Sequence, residues 1–310
     1  MAWRIEPGEA LADGFRRVAA EEIARIHADL DRAGSDPDRA VHQVRRRLKR
    51  LRALMRLARG ARGSSFSKPN RDLRDLGRTL AVSRDAAVLM ATFDDVVRQL
   101  GAAFPPRNVE ELRTRLERRS GAHPTAAWPS RQIEEVRTGL DRAERDMGRL
   151  SWPKSPAEIA RGLRQSQSGL RRSWQAARDG DADAVHEWRK RLKDQLTQLA
   201  LVRALADGAL RARRKVEKSL AEKLGEDRDL LLLQEKLGGP IPAAAEAIRA
   251  AVIEEIVARR QKLSGDAICL GEPLASQKPK RFAEEVLASS LATSPEEPVA
   301  AFRPKAEQPV

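Results

Sequence analysis

Apolar residues return at every third or fourth position along most of this 310-residue chain, and the apolar–polar alternation of a strand is absent. The spacing predicts helices over 11–33, 38–59, 70–81, 83–100, 108–119, 131–150, 156–178, 182–206, 209–224, 227–237 and 243–264. Breakers fall between them. Gly34-Ser35-Asp36-Pro37 ends the first helix, 60–69 reads as a loop, and Pro105-Pro106 and Ser151-Trp152-Pro153 interrupt the chain. Asn70 and Ser83 stand where N-caps are expected. Ser155-Pro156-Ala157-Glu158 is the clearest helix start, with a capping Ser, Pro at the first helical position and Glu placed to close a capping box. From Gly271 the periodicity lapses and six prolines fall in forty residues, so 271–310 is expected to be a Pro-rich, mostly disordered tail with one short helix near 282–291. The fold class is all-α.

Composition supports the helical reading and adds charge. Ala, Leu, Arg and Glu abound, aromatics are 4%, and there is no Tyr. The net charge is +14, and because the last forty residues carry −1, the folded body carries +15. A body this basic expects a polyanion: nucleic acid, polyphosphate or an anionic surface. The single Cys269 excludes an internal disulfide framework and a cysteine-based zinc cluster. No run approaches a membrane span, and Met1-Ala2-Trp3-Arg4-Ile5-Glu6 lacks a signal-peptide layout, so a cytoplasmic protein with no membrane partner is expected.

Self-comparison reveals a duplication. Ala40-Val41-His42-Gln43-Val44-Arg45-Arg46-Arg47-Leu48-Lys49 returns as Ala184-Val185-His186-Glu187-Trp188-Arg189-Lys190-Arg191-Leu192-Lys193, identical at seven of ten positions with an offset of 144. The same offset carries Leu76, Leu80, Arg84, Asp85 and Leu89 onto Leu220, Leu224, Arg228, Asp229 and Leu233. Two halves of about 11–150 and 155–265 follow, inside one folded unit over 1–270. The first helices match only at a shift of 148, Gly14-Phe15-Arg16 against Gly162-Leu163-Arg164.

On a helix with Val44 at zero, Leu48, Leu51 and Met55 fall within about 40° and form the buried stripe. His42, Arg45, Lys49, Arg52 and Arg56 fall near about 160°, 100°, 140°, 80° and 120°, a basic stripe beside the core face. His186, Arg189 and Lys193 repeat it, and it fades where Leu196 and Ala200 replace the later arginines. Arg46 and Lys190 flank it. A basic run is ordinarily a solvated face, yet such faces interleave acids at four-residue spacing, and here like charges stack instead, which costs tenths of a kcal/mol per pair. An anion would relieve that cost. In the next helix, Arg71, Arg74 and Arg78 share a face, with Lys215, Lys218 and Glu222 as counterparts. Arg84-Asp85 and Arg228-Asp229 sit at helix junctions, where either a local ion pair or an anion ligand fits.

The matched His42 and His186 admit a metal or phosphoacceptor reading, but no carboxylate or thiolate in the motif completes a metal site. Among Arg and Lys, each imidazole is better suited to donate to a phosphate oxygen. His27 and His123 have no counterparts and read as incidental. Glu21-Glu22, Glu134-Glu135 and Glu254-Glu255 are adjacent pairs that diverge on a helix and read as surface carboxylates, so no metal-holding acidic cluster for catalysis is expected.

These residues resemble the CHAD (conserved histidine α-helical domain) family. The likeness lies in a His, an Arg three on and basic residues seven on in each repeat, then a Leu-rich helix ending in Arg-Asp. His42, Arg45, Lys49, Arg50 and Arg84-Asp85 carry it in the first half, and His186, Arg189, Lys193 and Arg228-Asp229 in the second. Asp194 and Leu196 depart from it, standing where Arg50 and Arg52 stand, so the second half is expected to contribute fewer contacts. The resemblance implies two related helical bundles with pseudo-twofold symmetry around a basic central groove. It also implies inorganic polyphosphate as ligand and polyphosphate granules as location. The expected ligand set is His42, Arg45, Arg46, Lys49, Arg50, Arg52, Arg56, Arg74, Arg78, Arg84, His186, Arg189, Lys190, Lys193, Lys218 and Arg228, with no catalytic residue, metal or cofactor. Polyphosphate-metabolising enzymes are the protein partners it suggests. The alternative partner is nucleic acid, which the sparse aromatics and the lack of a helix-turn-helix or finger signature disfavour. The E-x-E-x-K strand of a CYTH-type triphosphatase is not found, so a stand-alone protein without that catalytic partner is expected.

Overall fold

The computed structural model describes residues 3–80, 85–101, 103–120, 128–205, 209–241 and 243–292, and these are all-α, with no strand among them. The helices are α1 (Leu11–Asp31), α2 (Pro37–Arg62), α3 (Ser67–Thr79), α4 (Asp85–Leu100), α5 (Pro106–Ser120), α6 (Ser130–Gly148), α7 (Pro156–Ala177), α8 (Ala182–Leu201), α9 (Ala209–Leu237), α10 (Ala243–Ser276) and α11 (Pro279–Ala292). Short 3₁₀ turns occupy Ser64–Phe66 and Arg203–Leu205. No described helix is long and apolar enough to cross a membrane.

Capping fixes where the central helices begin. Asp36 accepts from Arg39 N (3.2 Å), with Pro37 opening α2. Asp181 accepts from Ala184 N (2.8 Å) at the start of α8. Ser155 caps α7 through Glu158 N (3.3 Å), while the Glu158 carboxylate accepts from Lys154 N (2.6 Å), closing the box one residue earlier than the usual pattern.

The structure moves three expected boundaries. First, α3 begins at Ser67 and not at Asn70, because buried Phe66 anchors a 3₁₀ turn and Pro69 falls in the first helical turn, where a missing N–H costs nothing. Second, α9 runs unbroken through Gly225, where two helices were expected. A Cβ at Gly225 would lie 3.9 Å from Arg189 Nη2, so the glycine leaves room for that guanidinium. Third, the folded body does not stop at 270. Helix α10 continues to Ser276 with Pro273 inside it, and α11 buries Phe282, Ala283, Val286 and Leu287. Gly271, read as a breaker, is a close-approach glycine: a Cβ there would come within 2.4 Å of Trp188 and 2.8 Å of Trp174. The Ser83 cap lies outside the described residues, as does everything after 292.

Three apolar clusters hold the helices. The largest joins α1, α2, α3, α6, α7 and α11 around Phe15, Leu51, Leu54, Phe66 and Trp152. A second joins α7, α8, α9 and the end of α10 around Trp188, Leu192 and Leu220. The third packs α4 and α5 (Leu89, Phe93, Leu112, Leu116) onto α9 and α10 (Leu230, Leu233, Val252, Ile256). The α4–α5 hairpin, encoded in the first half, thus shares its core with helices of the second, so the halves interleave and are not separate bundles. At the centre, α2 and α7 touch backbone to backbone: a Cβ on Gly60 would stand 2.7 Å from Gly162 Cα, and one on Gly162 would stand 2.3 Å from Leu57 O.

A buried polar knot ties α11 to this frame. The Arg213 guanidinium donates to Glu217 (2.7 Å), Gln167 (3.1 Å), Gln195 (3.1 Å) and Gln277, and lies 4.4 Å over the Phe282 ring. Gln167 donates in turn to the Leu274 and Gln277 carbonyls at 2.7 and 3.0 Å. Burial pushes the Glu217 carboxyl up to about 7 and pulls Arg213 down, against their mutual attraction.

Candidate functional site

The matched motifs fall on α2 and α8, whose C-terminal halves pack together: Gln198 Nε2 donates to Ala53 O at 3.1 Å. The α2 stripe runs beside α3. Arg45 Nη1 donates to the Leu80 carbonyl just past the end of α3, so this cation also holds the two helices together. Lys49 and Arg46 are exposed and His42 is half-buried.

Further along α2, Arg52 is the most burdened cation. Its guanidinium is held at about 10, below its usual range, first by burial and then by Arg56, Arg74 and Arg78, with Asp194 opposing them. Its buried Nε has no hydrogen-bond partner. Arginines from α2 and α3 therefore act together on the Arg52 guanidinium.

The second half gathers its own cluster where α8 meets α9. His186 is held below the usual imidazole range by burial, then by Lys190, Arg228 and Arg189, with Glu187 opposing. Its buried Nδ1 lacks a hydrogen-bond partner. Lys193 is exposed.

The expectation of an unneutralised row needs correction. Carboxylates reach many of these cations from other helices or from one turn away. Arg56 pairs with Asp194 across the α2–α8 seam. Arg74 and Arg78 share Asp75 at 3.0 and 3.4 Å. Lys190 meets Glu187 (3.4 Å), Lys218 meets Glu222 (3.7 Å) and Arg228 meets Glu235 (3.9 Å). Of these acids only Asp194 comes from a neighbouring helix, which a helical wheel omits; Asp75, Glu187, Glu222 and Glu235 lie on the same helices as the cations they meet. Most of these pairs are exposed, and such pairs stabilise by only about 0–1 kcal/mol, so a multivalent anion can replace the carboxylates. Asp194, expected only as a lost contact, is an ion-pair partner.

Arg50 also departs from expectation. It turns toward α1, 3.4 Å from Glu22 and 5.6 Å from the Trp3 ring. Glu22, expected on the surface, is fully buried and shared among Arg25, Arg47 and Arg50. Arg50 nevertheless lines a cavity of about 240 Å³ with Trp3, Leu196, Thr197, Ala200, Arg214 and Lys218. Cations from both halves meet there. Leu196 and Ala200, which replace arginines, leave the space. At the 144-residue offset, Leu196, Ala200 and Lys218 correspond to Arg52, Arg56 and Arg74. The cavity thus answers the first-half arginine cluster, with room in place of two guanidiniums.

Arg84 lies outside the described residues. Sequence reasoning missed Arg214 and Trp3. Arg214 sits one turn before Lys218, a spacing that was available. Trp3 carried no signal, since it is placed by its indole donating to Thr197 O (2.9 Å) across the chain.

A scan of family models matches the CHAD domain over residues 10–238. The crystal structure of the CHAD domain from the plant Ricinus communis superposes with a TM-score of 0.64 and 22% identity, covering 90% of this chain and 96% of that one. No curated protein matches. A solved structure at that identity speaks for the fold, and the family model, spanning well over half the chain, speaks for the family: this chain belongs to the CHAD domain family.

Proposed function

We propose that the chain binds inorganic polyphosphate along the basic track of α2, α3, α8 and α9, acting as a binder and not as a catalyst. The observation that carries this reading is Arg52, a half-buried guanidinium crowded by Arg56, Arg74 and Arg78 with its Nε unsatisfied. Like charges gathered this closely cost stability and are kept where an anion repays them. Membership of a polyphosphate-related family agrees with it. Polyphosphate offers repeated charge without base edges or rings, which matches a track rich in Arg and Lys. The phosphate chain passes from the first-half track to the second near the α2–α8 seam, where the two motif helices pack together. Residence in the cytoplasm at polyphosphate granules, beside polyphosphate-metabolising enzymes, is part of the same proposal.

Arg52→Ala separates a ligand role from a structural one. Titration with long-chain polyphosphate is expected to show at least a tenfold loss of affinity, while the melting temperature without ligand stays the same or rises as the repulsion is relieved. Unchanged affinity, or a fallen melting temperature, contradicts the assignment.

A further inference from the structure

Helices α1 and α6 pack antiparallel, and their register is pinned by two rungs. Arg137 Nη2 lies 2.9 Å from Asp31 Oδ1, and one turn away His27 Nε2 lies 3.4 Å from Asp141 Oδ1. Buried Ile26, Leu30, Leu140 and Ala143 beneath them belong to one apolar cluster, so the backbones are held rigidly. Glu144, three residues past Asp141 on the same helix face, completes a trio with donor atoms all within 4.8 Å of one another. His27 reads as incidental in sequence because its partners lie more than a hundred residues away.

We infer that His27, Asp141 and Glu144 bind a zinc-class divalent transition ion that staples α1 to α6. One imidazole nitrogen with two carboxylate oxygens is a mixed set suited to Zn²⁺, Co²⁺ or Mn²⁺ and poorly suited to Mg²⁺, which prefers oxygen and water alone. An ion at the centre of the trio would lie within ~1 Å of bonding distance to each donor, a gap that small side-chain rotations close. The ring comes from one helix and both carboxylates from the other, so coordination crosslinks the pair. Three protein ligands leave a water-filled position. Glu144 makes no ion pair or hydrogen bond that would hold it elsewhere among the described residues. The trio uses no residue of the basic track, so this proposal stands apart from polyphosphate binding.

The test is calorimetric titration of chelator-treated full-length protein with Zn²⁺ and with Co²⁺. Polyphosphate and phosphate are left out, because both bind the ions themselves. One ion per chain at micromolar affinity or tighter is expected, with a raised melting temperature and a shifted His27 imidazole ¹⁵N resonance. His27→Ala and Asp141→Asn should each weaken binding at least thirtyfold. Glu144→Gln, at an exposed position, should weaken it several-fold without moving the metal-free melting temperature, which guards against mistaking misfolding for lost ligation. Absence of one-site binding, a His27 resonance that does not move, or affinity that survives all three substitutions overturns the proposal and leaves a simple histidine–carboxylate contact.

Discussion

Replacing Lys49, Arg52, Arg189 and Lys193 together with Ala is expected to weaken polyphosphate binding about a thousandfold at moderate salt. A hydrogen bond to a charged group is worth roughly 1.5 kcal/mol or more. Four such contacts approach ~6 kcal/mol before coupling between neighbours reduces the sum. Lost contacts also return fewer counterions to solution, so the slope of log affinity against log salt should flatten by ~3, taking about 0.7 per contact on a single-stranded polyanion. Lys49 and Lys193 are exposed and Arg52 is destabilised by its surroundings, so helical content should not change. Titrations across a salt series, with circular dichroism on the same samples, measure both quantities. Loss of helix along with affinity would make the track structural. Retained affinity with an unchanged slope would place the ligand elsewhere.

The second large effect concerns the frame. Gly162→Ala is expected to cost about 3 kcal/mol, at the upper end for overpacking, because the new methyl would meet the Leu57 carbonyl at 2.3 Å and backbone cannot rotate away as a side chain can. For a chain of this size that is a fall in melting temperature on the order of 5–10 °C. Gly148→Ala, at the end of α6 with nothing within 4 Å, is the matched control and should be neutral or slightly stabilising. Spreading α2 from α7 also disturbs the α2–α8 seam, so polyphosphate affinity should fall with stability in the Gly162 variant and hold in the control. A Gly162→Ala protein as stable as the control would contradict the backbone-contact geometry.

Local rules carried far in the sequence, and failed where distance along the chain decides the structure. Asp36, Ser155 and Asp181 are caps whose partners lie within three residues, and all three helix starts are legible. The proximity of Arg52 to Arg56 follows from one helix's period, whereas the approach of Arg74 and Arg78 depends on how α3 packs against α2. The ends are another matter. Gly271 and Pro273 punctuate a chain that local rules would end, yet the glycine is there so that α10 can lie against Trp174 and Trp188. One neutralising acid was invisible for the same reason: Asp194 reaches Arg56 from 138 residues away. Arg50 counted as a groove residue because its own helix says nothing of α1, where buried Glu22 claims it. The interleaving of α4 and α5 with α9 and α10 depends on which apolar faces find one another, and amphipathic helices of similar composition do not encode that choice in any single segment.

The most direct measurement is a competition on the intact protein, titrating long-chain polyphosphate against duplex and single-stranded DNA at equal phosphate concentration through a salt series. A track built for linked phosphates predicts that polyphosphate displaces both DNAs at every salt concentration, with affinity falling steeply and linearly in log salt. Preference for either DNA, or polyphosphate binding indifferent to salt, would contradict it.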